Sequence, residues 1–94
     1  METVQQEIMD FTKAENFDNA LDIIFKDYIR YKLYYLKNEN NRYEIKWNMT
    51  FNEFEKKSMK MVEGMSYETE QEYYQWEAVI TELEYFKKKF QQWT

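Results

Sequence analysis

Apolar residues form a long stripe in the first half of the chain. They stand at positions 25, 29, 33, 36, 43 and 47, and further apolar residues at 21, 24, 28 and 35 widen the stripe. Steps of three and four place side chains on one face of an α-helix. The pattern predicts a helix over residues 19–46, on the order of 40 Å long. Because Asn40 fills the missing apolar position, we expect either a bend near residues 38–41 or a polar contact that fixes the register.

A second long stripe occupies the C-terminal third. Apolar residues at 73, 76, 80, 83, 86 and 90 follow one another in steps of three or four. Ser66 stands at the N-cap position, and Glu68 follows in the first turn, where a carboxylate interacts favourably with the helix dipole. Three lysines at 87–89 suit the opposite end of the dipole. These signals together predict one amphipathic helix that the lysines close.

Two shorter helices complete the predicted set. Apolar residues at 4, 8 and 11 form a thin stripe over residues 2–13, and a helix of that length is marginal by itself. Thr50 and Glu53 have the spacing of a capping box, with apolar residues at 51, 54, 61 and 65 behind them. Gly64 suits a left-handed cap at the end of this third helix.

The fold class follows from these elements and from the composition. The chain has one glycine and no proline, which leaves little turn chemistry for a multi-stranded sheet. A length of 94 residues suits one domain. We therefore predict an all-α protein, a small helical bundle or hairpin of about three to four helices with two long helices, completed by dimerisation. Residues 1–94 are expected to form one domain, with residues 1–17 as a short, loosely attached N-terminal helix.

The composition argues against an enzyme. There is no histidine and no cysteine, so the commonest general base, the thiolate nucleophile and the usual transition-metal ligands are all missing. No phosphate-binding loop and no nucleophile–base pair occurs. We expect no catalytic residue, no cofactor, no metal site and no small-molecule substrate.

Charge and hydropathy limit the partners and the location. A net charge of −5 disfavours direct binding to nucleic acid. No apolar run approaches the length of a membrane span, and the first residues lack a basic segment typical of a secretion signal. We expect a cytoplasmic protein that does not contact membranes.

Charge is unevenly distributed along the chain. Residues 26–60 hold nine Lys and Arg against five Asp and Glu, whereas residues 63–84 hold seven Glu and no base. The last helix is therefore expected to lie against basic residues of the second, within one chain or between two. Arg30, Lys37 and Lys46 are the candidates for these contacts.

Aromatic residues exceed what a small core can bury. The chain has seven Phe, nine Tyr and three Trp, and its tyrosines lie on more than one face of each long helix. Burial in the core is the expected fate of the main stripes, but surplus Tyr and Trp are typical of protein interfaces. The predicted partner-binding residues for a protein partner or a homodimer are Tyr28, Tyr35, Tyr73, Tyr74, Trp76, Glu77 and Tyr85.

Residues 36–86 resemble a class of small helical prokaryotic proteins encoded beside toxin genes. That class has a long helix, a helix that begins M-[ST]-x-E-E-F, and a helix with a Trp-Glu pair, and residues 49–54 of this chain read M-T-F-N-E-F. The residues that carry the resemblance are Tyr43, Trp47, Met49, Thr50, Phe51, Phe54, Glu55, Trp76 and Glu77. Trp47-Asn48 stands where that class usually has Tyr-Gly, and the N-terminal helix has no counterpart there. The resemblance implies an antitoxin-like binder and not a catalyst.

Three functions agree with these observations. The first is a non-enzymatic protein-binding helical module, antitoxin-like, that neutralises a basic partner through its acidic aromatic helix. The second is a structural homo-oligomer. The third is an acidic mimic of nucleic acid, which requires carboxylates at regular, phosphate-like spacing on one outer surface.

Overall fold

The computed structural model describes residues 3–60 and 66–94, with the side chains of residues 59 and 60 left out. Four helices span nearly all of this part: α1 (Val4–Thr12), α2 (Phe17–Trp47), α3 (Phe51–Lys60) and α4 (Tyr67–Trp93). No strand occurs within the described ranges. The prediction of a small all-α bundle with two long helices is confirmed.

Side-chain caps begin α2, α3 and α4, and the caps at Thr50 and Ser66 confirm the sequence prediction. Asn16 Oδ1 accepts a hydrogen bond from the Asn19 amide at 2.9 Å, and Ser66 Oγ accepts one from the Thr69 amide at 3.1 Å. Thr50 Oγ1 does the same for the amide three residues later, at 3.2 Å. Each bond satisfies an amide that has no partner inside its helix. The cap predicted at Gly64 lies outside the described residues.

The structure decides between the two alternatives predicted near Asn40 and moves the predicted end of the last helix. Helix α2 continues unbroken through residues 38–41, because Asn40 has polar partners there. Its Oδ1 accepts from Trp76 Nε1 at 2.8 Å, and its Nδ2 donates to Glu44 at 3.2 Å. Of the two alternatives predicted for this position, the polar contact is the one observed. Helix α4 does not close at the lysines of residues 87–89 but extends to Trp93.

Helices α2 and α4 form an antiparallel hairpin. One end is marked by the pair Lys46–Glu72 and the other by the ring contact between Phe25 and Trp93. Between them, the buried residues that hold the helices together are Ile29, Leu33, Leu36 and Leu83. Burial of such side chains contributes roughly 1.5–3 kcal/mol each. We call the end beside Phe25 and Trp93 the open end.

Helix α3 covers the other end of the hairpin. Its Phe51 and Phe54 pack with Tyr43 of α2 and Trp76 of α4 in a second buried cluster. Tyr43 and Trp76 are stacked, with ring centroids 5.3 Å apart. Three helices thus enclose this cluster, whereas only α2 and α4 supply the core at residues 29–36 and 83.

The N-terminal helix is attached along one side only. Helix α1 packs against α2, and within the described residues it contacts no other helix. None of its side chains is buried. The molecule is consequently elongated, measuring 60 × 29 × 18 Å. None of the described helices is long and apolar enough to cross a membrane.

Candidate protein-binding surfaces

The structure divides the predicted partner-binding residues between core and surface. Trp76 is fully buried, so its prediction as a partner contact is wrong for the folded chain. Its ring fills the cluster beneath α3, and its N–H is used by Asn40. Tyr73 is half-buried against Phe51 and Phe54. The remaining predicted residues are exposed to solvent: Tyr28, Tyr35, Tyr74, Glu77 and Tyr85.

One set of exposed rings surrounds a shallow groove at the open end. Tyr28 of α2 contacts Phe86 of α4 edge to face at 6.0 Å, and Tyr85 contacts Phe86 at 5.2 Å. Phe25 and Trp93 meet beside them at 5.4 Å. The lining residues of this aromatic groove are Phe25, Tyr28, Ile29, Tyr85, Phe86, Lys89 and Trp93.

A second groove lies between α2, α3 and α4 and is acidic. Four carboxylates line it: Glu44 from α2, Glu55 from α3, and Glu77 and Glu84 from α4. Its other lining residues are Asn40, Thr50, Phe51, Asn52, Ile80 and Thr81. Among the residues that the structure describes, no Lys or Arg belongs to that lining, so the charges of the lining are all negative.

Tyr73 links α4 to the acidic groove. Its hydroxyl donates a hydrogen bond to Glu55 Oε2 at 2.9 Å. This bond, together with burial and the nearby Glu77 carboxylate, raises the pKa of Tyr73 above its ordinary value. A phenol beside two carboxylates therefore stays protonated and keeps Glu55 in place.

Only part of the charge on α4 is balanced inside the chain. Lys46 Nζ lies 2.5 Å from Glu72, as predicted for Lys46, and Lys32 lies 3.8 Å from Glu82. Arg30 was predicted to face α4, but it pairs with Asp27 of its own helix at 3.1 Å.

Three other charged residues contribute no ion pair between the helices in the described part of the chain. Within the described residues Lys37 makes no ion pair, and neither Glu77 nor Glu84 does. In the described part of the chain, Glu44, Glu55, Glu77 and Glu84 thus form no ion pair, although Glu44 and Glu55 accept hydrogen bonds from Asn40 and Tyr73.

The described carboxylates are not grouped as the ligands of a metal ion would be. Among the residues that the structure describes, no group of three or more Asp or Glu side chains could hold a metal ion.

The sequence did not identify several of these residues. Lys32, Glu44 and Glu55 belong to ordinary amphipathic patterns, and nothing in their spacing links α2 or α3 to α4. Phe25 was expected in the core stripe, yet 42% of it is exposed. Trp93 lies beyond the predicted end of the last helix, so its ring could not be placed.

Comparisons with protein-family models, with curated proteins and with solved structures gave no match. The resemblance to antitoxin-like proteins therefore remains a prediction.

Proposed function

We propose that this protein is a non-enzymatic helical module that binds a basic segment of another protein in the acidic groove. The observation that carries the proposal is the convergence of Glu44, Glu55, Glu77 and Glu84 on one groove whose lining includes no cation. Three helices contribute these residues, so the groove depends on the folded chain and not on a local run of acidic residues.

The groove offers Lys and Arg side chains more than charge. Phe51 and Ile80 provide apolar surface for the methylene groups of such side chains. Asn52 and Thr81 supply additional polar atoms at the rim. Carboxylates in a groove with low-dielectric walls attract cations more strongly than carboxylates on a convex surface. The partner is therefore expected to associate quickly and to dissociate more readily as salt increases.

An antitoxin-like role is the finer form of this proposal. A toxin that acts on RNA needs a basic surface to bind its substrate, and a module with an acidic groove could cover that surface by charge complementarity. The resemblance of residues 36–86 to antitoxin-like proteins supports this form.

The arrangement of carboxylates favours protein binding over mimicry of nucleic acid. A mimic needs acidic groups at regular intervals along one outer surface, as phosphates are spaced. Here Glu72 and Glu82 are paired with lysines of α2. Glu77 and Glu84, which form no ion pair with any described residue, line a groove instead. The nucleic-acid mimic is therefore the weaker alternative.

The test compares two double variants that remove the same charge from the same helix. Glu77→Gln with Glu84→Gln removes two carboxylates from the groove, whereas Glu68→Gln with Glu70→Gln removes two exposed carboxylates outside it. The probe is a Lys/Arg-rich peptide, measured by fluorescence anisotropy at low and moderate salt. A matching peptide with Gln in place of each base is the control.

We expect the groove variant to raise the Kd of the basic peptide by about tenfold, while the control variant changes it little. Purification of partners from the source cells with both variants then identifies the natural ligand. Equal binding by both double variants would contradict the proposal, and so would a set of natural partners without basic surfaces.

A further inference from the structure

The open end of the hairpin has an apolar surface that no described segment of the chain covers. Tyr28 is 53% exposed, Tyr85 55% and Trp93 53%, and all three line the aromatic groove. At the other end α3 covers the rings of the hairpin, but no described helix covers this groove. Contiguous exposed rings of this kind mark an interaction site.

We propose that the aromatic groove is the interface of a symmetric homodimer, with a second copy of this chain as its occupant. The accessible surface of the whole chain is large enough to supply a dimer interface. It is 7524 Å², whereas a monomer of 11.9 kDa is expected to expose about 5,900 Å². The excess is roughly 1,600 Å², and a stable interface of standard size needs about 800 Å² from each partner.

Charge decides between the two grooves as a site for self-association. The acidic groove would bring like charges together in a symmetric dimer, which is unfavourable. The aromatic groove has one charged lining residue, Lys89, whose ammonium lies 5.3 Å from the ring centroid of Tyr85. Scarce charge with abundant Tyr, Phe and Trp is the composition of an interface centre.

A second hairpin on this groove also completes the packing at the open end. Two helices can bury only a narrow stripe between them, whereas four long helices enclose a full core. In a two-fold dimer, α2 and α4 of each copy would supply these four helices. The same patch serves both copies, as a closed two-fold interface requires.

The experiment measures mass against concentration by sedimentation equilibrium for the wild type and two double variants. Tyr28→Asp with Tyr85→Asp places two charges in the aromatic groove. Tyr34→Asp with Tyr74→Asp makes the same change at two exposed tyrosines, one on each long helix, outside its lining. Circular dichroism establishes that each variant remains helical.

We expect the wild type and the control variant to approach twice the monomer mass, and the groove variant to raise the dimer Kd at least roughly tenfold. All three should bind the basic peptide alike, which separates failure of this inference from failure of the proposed function. An equal loss of dimer in both variants would overturn the inference.

If the groove variant does not fold, the dimer interface can be tested by nuclear magnetic resonance on the wild type alone. The Trp93 indole resonance should shift with protein concentration, since its ring lines the groove, whereas that of the buried Trp76 should not. A monomer that persists up to roughly 1 mM, or a Trp93 resonance that is unchanged while a dimer forms, would overturn the inference.

Discussion

Single residues show how one aromatic ring can be structural while its neighbours remain available for binding. Trp76 lies within the apolar stripe of α4, and its N–H reaches Asn40, the one polar residue in the stripe of α2. A slip of either helix would separate this pair, so it fixes how the two long helices align. Trp47 provides a contrast, because its buried Nε1 has no hydrogen-bond partner in the described part of the chain.

This contrast gives a prediction for the free energy of unfolding. Trp76→Phe removes the donor to Asn40, and Asn40→Ala removes the acceptor, so each should destabilise the fold. The double variant should lose less free energy of unfolding than the two single variants lose together. The difference, which is the coupling energy of the pair, should be about 1 kcal/mol. Urea unfolding of the four proteins measures the coupling.

Trp47→Phe is the matched control, because it makes the same change of ring at a donor without a described partner. Trp47→Phe should therefore lower the free energy of unfolding less than Trp76→Phe does. A coupling near zero in the double variant would contradict a role for the Asn40–Trp76 bond in stability.

Among the helices, α3 matters most for the proposed function, because it forms one wall of the acidic groove. It begins at the Thr50 cap, and its apolar side packs Phe51 and Phe54 against α4. Its polar side brings Glu55 to the hydroxyl of Tyr73. The packing of this one helix thus creates both the second core cluster and the acidic groove.

The Tyr73–Glu55 bond predicts a pH dependence of stability. Tyrosine in an unfolded chain ionises near pH 10, and the pKa of Tyr73 is raised above that value in the folded protein. The bond therefore stabilises the folded state fully below about pH 10. This stabilisation is lost as the pH rises above that value, because the unfolded chain then releases the Tyr73 proton more readily than the folded chain does.

The measurement is urea unfolding of the wild type and of Tyr73→Phe from neutral pH to about pH 11. At neutral pH the variant should be less stable by about 1 kcal/mol, and this difference should narrow above pH 10. Tyr34→Phe is the control, because Tyr34 is 71% exposed and should show no such narrowing. A constant difference between wild type and Tyr73→Phe at every pH would contradict the assignment.

The whole molecule is far from the compact shape typical of its length. Its radius of gyration is 19.1 Å, whereas a globular domain of this length is expected near 12 Å. Two long helices with shorter ones packed beside them leave much of each long helix on the surface. This shape explains how one small chain can present an acidic groove and an aromatic groove together.

Small-angle X-ray scattering tests the shape directly. The Tyr28→Asp, Tyr85→Asp variant, as a dilute monomer, should have a radius of gyration close to the 19.1 Å of the single chain. The hairpin is expected to keep this radius of gyration because the two substitutions leave its buried core residues unchanged. A radius of gyration near 12 Å would contradict the elongated hairpin, because it is the value expected of a compact globular domain of this length.

The sequence by itself determined the helices, because their stripes, caps and dipole charges depend on residues within a few positions of one another. It therefore predicted the all-α class, the caps at Thr50 and Ser66 and the polar position at Asn40. It also predicted more rings than one core can bury.

Only the tertiary structure decided which face of each helix meets another helix. It buried Trp76 and left Tyr74 exposed, although both lie on α4. It brought Glu44, Glu55 and Glu77 from three helices to one groove. Such contacts join residues far apart in the chain, and they depend on how whole helices pack, which no local spacing records.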